Sequence, residues 1–104
     1  MNANYYSGKL MFMINNLLQG LWDVNMFRKK YYDYYLEEVP DDALTDIEAD
    51  FFGGVQEKLD WVDASPDIES QNAGWLNHKQ FVEWLNVQKS IFDSDLNSLR
   101  KKDG

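Results

Sequence analysis

The stretch TDIEADFFGGVQEKLDWVD, residues 45–63, decides the fold. Thr45 and Glu48 stand three apart, the spacing of a capping box in which each side chain satisfies a free backbone N–H at the start of a helix. Behind them Ile47, Phe51, Val55, Leu59 and Val62 recur every three to four residues, so the stretch is predicted to be an amphipathic helix with these five on its apolar face. Its end is expected near Asp63, ahead of Ser65 and Pro66.

The same periodicity extends to both sides. Tyr6, Leu10, Met13, Ile14, Leu17, Leu18 and Leu21 share one face of a first helix that Gly20 ends, and Asp23 is placed to cap a second. Val24, Phe27, Tyr31, Tyr34 and Tyr35 form the apolar face of that second helix, which Pro40 and the pair Asp41, Asp42 close. After the central helix comes a loop of about a dozen residues. Asn77 and Gln80 then repeat the capping-box spacing, with Leu76 and Phe81 as a hydrophobic staple. A last helix buries Phe81, Trp84, Leu85 and either Ile91 or Phe92.

No segment alternates with period two and no Asn-Gly or Asp-Gly hairpin signal is present. The expectation is an all-α fold, an antiparallel four-helix bundle in one domain over residues 1–104. Its core spans about 7–93, and 94–104 is a polar C-terminal tail, read as a frayed extension or a short extra helical turn.

Composition bounds the function. At 44% hydrophobic and 15% aromatic, 104 residues can bury a core without disulfides or structural metal, and there is no cysteine. The N-terminal segment lacks the basic and continuous apolar parts of a secretory signal, because Asn15 and Asn16 interrupt Leu10 to Ile14. A cytoplasmic protein is expected. A pI near 4.4 disfavours nucleic acid or an anionic membrane as direct ligand, both being polyanions.

The charge is unevenly distributed. Residues 33–69 hold thirteen of the eighteen carboxylates and one base, Lys58, so this stretch carries −12 while the chain sums to −8. On a helical wheel Asp46, Asp50, Gly53, Glu57 and Asp60 fall within a sector of about 80°, opposite the apolar face, and form a ridge about 20 Å long. Ordinary exposed helix faces mix signs to gain i,i+4 pairs and avoid repulsion, whereas this one is uniformly negative, which points to a basic partner. Gly53 and Gly54 together cost about 2 kcal/mol of helix stability relative to alanine. Gly54, nearer the apolar side, is expected to permit close packing; Gly53 stays open between packing and admitting a partner's side chain.

Trp61 beside the ridge is read as an interface anchor, with Asp63, Asp67 and Glu69 continuing the acidic surface into the loop. Trp75 and Tyr32 are open between core and interface. Catalysis has little support: there is no cysteine, the one histidine, His78, is read as a capping-turn residue, and no metal-ligand spacing occurs. Asp60, Asp63, Asp67 and Glu69 lack EF-hand spacing, so neither a calcium site nor a cofactor is expected.

The turn at Gly20 followed by Phe27, the segment Phe51 to Asp63, the Pro66-Asp67 loop and the opening of the last helix from Leu76 to Leu85 resemble the bacterial immunity proteins of the colicin D type. Members of that family also accompany contact-dependent growth inhibition toxins. The likeness covers Leu10 to Phe92; the Tyr31–Tyr35 cluster, Tyr5-Tyr6 and Lys101-Lys102 depart from it. It implies a small acidic bundle that occludes the active site of a cognate nuclease toxin, commonly a tRNase, as a monomer in a 1:1 complex. Glu57, Asp60, Asp63 and Asp67 would correspond to the acidic third helix and following loop presented to the toxin. Independently of the likeness, a row of carboxylates can satisfy the lysines and arginines that line a nuclease site. The alternative is an acidic adaptor or nucleic-acid mimic that regulates a cellular nucleic-acid-binding protein.

Overall fold

The computed structural model describes the backbone of residues 3–40 and 42–103 and the side chains of 5–40 and 42–98. Asp41 lies outside the described residues, and Lys101 and Lys102 lie outside the described side chains. The described chain is all-helical: α1 Ala3–Leu18, α2 Val24–Glu37, α3 Asp46–Leu59, α4 Ile68–Asn72 and α5 His78–Asp103.

The helix boundaries follow the local chemistry. Gly20, at φ 81°, turns the chain out of α1. The Asp23 carboxylate accepts from the Met26 N–H at 2.8 Å and caps α2. Both halves of the two capping boxes are present: Thr45 N–H to Glu48 at 2.9 Å with Glu48 N–H to Thr45 at 3.2 Å, and Asn77 N–H to Gln80 at 2.9 Å with Gln80 N–H to Asn77 at 2.8 Å.

Two elements differ from the sequence reading. The loop after α3 contains the five-residue α4, capped by Asp67, whose carboxylate accepts from the Ser70 N–H at 2.7 Å. The last helix runs unbroken to Asp103, well beyond a short extra turn, and Leu96 packs against the core.

Helix α1 packs on α2 and α5, and α3 packs on the same two. Contacts pair the early residues of one helix with the late residues of its neighbour: Tyr6 with Tyr34, Phe51 with Phe92, and Lys58 with Trp84. The centre is aromatic. Phe27, Tyr31, Phe52 and Phe81 are fully buried, with Phe27 bridging to Phe81 at 6.1 Å and Phe52 to Phe92 at 5.6 Å between ring centroids. The buried Tyr31 hydroxyl donates to the Phe52 carbonyl oxygen at 2.7 Å, a polar pin between α2 and α3 that satisfies a phenol shut off from water. Burial pushes its ionisation well above the ordinary tyrosine range.

The buried arc of α3 is Glu48, Phe52, Val55 and Leu59, with Ile47 and Phe51 only half-buried. The helix is therefore rotated from the expected face, because it lies between two neighbours and Phe52 reaches the shared core. Phe92, not Ile91, is the buried residue late in α5, and Leu21 is 69% exposed beyond the end of α1.

Candidate acidic interface

Helix α3 carries the ridge on the side turned away from the core. Asp46 and Asp50 in its first half, Glu57 near its end and Asp60 at its C-cap are all exposed. Asp63 follows in the segment that pairs with the residues just ahead of α5, where its N–H donates to the Leu76 carbonyl oxygen at 2.9 Å. Asp67 and Glu69 stand at the N-cap and in the first turn of α4. The Ser70 N–H bond stabilises the ionised Asp67 carboxylate and holds its pKa below the ordinary value of 3.8.

The carboxylates remain largely without ion-pair partners among the described residues. Among the described residues the one ion pair is Lys89 with Asp93, at 3.2 Å on α5. Lys58, the one base within the acidic stretch, turns away from the ridge and places its ammonium over the Trp84 ring, 5.5 Å from the centroid. Arg28 also leaves the ridge unpaired: its guanidinium donates to the carbonyl oxygens of Leu59 at 3.2 Å and Val62 at 2.6 Å, closing the C-terminal end of α3. This contact was not foreseen from the sequence, where Arg28 reads as one of three consecutive basic residues.

Not every acid of the stretch faces the ridge. Glu48 is buried and used in its capping box. Asp33, Glu37 and Glu38 line a groove between α1 and α2 with Lys9 and Lys30. The coherent surface is thus the α3 ridge and the segment after it, among which no three carboxylates come together to hold a metal ion within the described residues.

Tyrosines of α2 flank the ridge. Tyr32 donates its hydroxyl to the Asp60 carboxylate and is half-buried. Its pKa is pushed up to about 12, first by burial and then by this bond and the Asp60 charge, with Arg28 acting in the opposite direction. The Tyr35 hydroxyl lies 3.1 Å from where a Cβ on Gly53 would stand. Gly53 therefore makes room for Tyr35 and is the packing glycine of the pair. Gly54, expected to pack, has open space around the same position.

Trp61 is 47% exposed at the end of the ridge and meets the half-buried Trp75 edge-on, with ring centroids 5.6 Å apart and an interplanar angle of 60°. The sequence placed Trp61 at the surface but did not anticipate its pairing with Trp75. The parallel bridge between Val62 and Leu76 brings them together.

No protein-family model matches the chain, and no curated protein or solved structure matches it at a significant level. Among the described residues no helix is long and apolar enough to cross a membrane.

Proposed function

We propose that this chain is an immunity protein that binds a cognate basic nuclease toxin, a tRNase by its resemblance to the colicin D immunity type, and covers the toxin's active site with the acidic face of α3. The observation that carries this reading is a ridge of exposed carboxylates that no cation among the described residues neutralises. Such a surface is repulsive in isolation and becomes favourable when a phosphate-binding pocket supplies lysines and arginines.

Asp46, Asp50, Glu57, Asp60, Asp63, Asp67 and Glu69 supply the charge, Trp61 the apolar anchor, and the Gly53 and Tyr35 packing fixes α3 against α2. The scaffold is an antiparallel four-helix bundle, with α4 an elaboration of the connection between the third and fourth long helices. The protein acts in the cytoplasm as a monomer in a 1:1 complex, without touching nucleic acid or membrane and without catalysis. Long-range attraction raises the association rate by roughly 10- to 10³-fold at low salt, which suits a protector that must reach the toxin before damage accumulates.

Co-expression tests this. A toxin reading frame is expected next to this one, and cells carrying its nuclease domain should grow only when this chain is present. Growth arrest despite normal levels of folded protein contradicts the reading and leaves the acidic regulator of a cellular nucleic-acid-binding protein in its place.

A further inference from the structure

We infer that the Trp61–Trp75 pair is the docking point for an arginine of the basic partner and selects arginine over lysine. The inference rests on the proposed contact with a basic protein and adds which cation takes the central place.

Trp61 is exposed on a fixed backbone. Its N–H donates to the Lys58 carbonyl oxygen at 2.9 Å and its own carbonyl oxygen accepts from the Leu76 N–H at 2.8 Å. Trp75 is set by its N–H to the Ser70 carbonyl oxygen at 3.0 Å, and its edge-on contact holds one side of the Trp61 indole while leaving much of the ring open. A rigid aromatic face kept in water is poised for binding, because little side-chain freedom is left to lose.

The other two tryptophans already have cations. Lys30 lies over Trp22 at 5.8 Å and Lys58 over Trp84 at 5.5 Å, whereas among the described residues no cation lies over Trp61 or Trp75. The vacant pair also lies in an acidic stretch that holds no base after Lys58. Asp60 and Asp63 flank Trp61 in the chain, and Asp67 and Glu69 belong to the segment that leads to Trp75. A guanidinium can lie flat on an indole while its N–H groups, in the same plane, point outward to carboxylates. An ammonium is compact and strongly hydrated, and cannot make both contacts with the same geometry.

The test measures fluorescence anisotropy of labelled nona-arginine and nona-lysine peptides with the full chain at about 50 mM salt. Both peptides present equal charge, and because carboxylates alone already favour the bidentate guanidinium somewhat, the readout that isolates the tryptophan pair is the change in the arginine-to-lysine ratio on removing Trp61. Nona-arginine is expected to bind about fivefold more tightly, a ratio within reach of one stacked guanidinium. Trp61→Ala should cut the ratio severalfold while leaving nona-lysine affinity within about twofold, and Trp61→Phe should keep part of the lost preference. Equal binding of the two peptides by the wild type, an unchanged ratio in Trp61→Ala, or no binding of either peptide would overturn the inference. None of these outcomes depends on protection from a toxin, so failure of this inference is distinguishable from failure of the proposed function.

Discussion

The Tyr32 hydroxyl, carried by α2, donates to the carboxylate of Asp60 at the C-cap of α3. One bond thereby fixes the direction of a ridge carboxylate and ties the acidic helix to its neighbour. A carboxylate held in place needs less ordering when it meets a cation, so the tyrosine acts as a support for the charged surface.

Replacing Asp60 with asparagine should lower the Tyr32 pKa from about 12 but leave it above the ordinary value of 10, because burial is the larger cause of the rise. The sign for stability follows. A pKa raised on folding contributes stability in full below pH 10, and this contribution disappears as pH climbs toward 12. Ultraviolet titration of phenolate absorbance in the wild type, Asp60→Asn and Tyr32→Phe checks both statements.

The glycine pair should separate cleanly on substitution. Gly54→Ala gains about 1 kcal/mol of helix propensity into open space. Gly53→Ala gains the same propensity but presses its Cβ on the Tyr35 hydroxyl, and the Tyr35 ring is stacked on the buried Tyr31 at 5.8 Å. Urea denaturation should rank Gly54→Ala as the more stable variant.

Removing the Arg28 guanidinium leaves the Leu59 and Val62 carbonyl oxygens without their side-chain donor. Arg28→Ala should cost about 1.5–3 kcal/mol, the range for hydrogen bonds from a charged group. Amide exchange should quicken locally around Leu59 to Val62, before the rest of α3 loosens.

Salt should stabilise the isolated protein. Repulsion along the ridge is not offset by ion pairs among the described residues, so raising sodium chloride from about 50 to 500 mM shortens the Debye length roughly threefold and raises Tm. Asp50→Lys with Glu57→Lys should raise Tm at low salt and flatten its salt dependence, since among the described residues neither side chain makes a hydrogen bond or an ion pair. Calorimetry across the salt series checks this.

Helix starts were the most legible part of the sequence, because Asp23, Thr45 with Glu48, and Asn77 with Gln80 each act on donors three residues away. The ridge was legible for the same reason: exposure on a helix follows a fixed period. Less accessible was the rotation of α3, since the choice between Phe51 and Phe52 depends on where α2 and α5 lie. The cap of α4 does carry a local signal, Asp67 three residues before Ser70, but one turn of helix has too little periodicity to announce itself. The pairs Trp61 with Trp75 and Tyr35 with Gly53 are tertiary, and no local spacing encodes them.

The most direct measurement is titration calorimetry of the nuclease toxin domain that the proposal expects beside this chain's gene, with the wild type and with the Asp50→Lys, Glu57→Lys double variant, both verified as folded. The wild type should bind one to one with sub-micromolar or tighter affinity, and the double variant should lose at least about 100-fold, nearly 3 kcal/mol. Equal affinity of the two proteins would contradict the acidic face of α3 as the surface that meets the toxin.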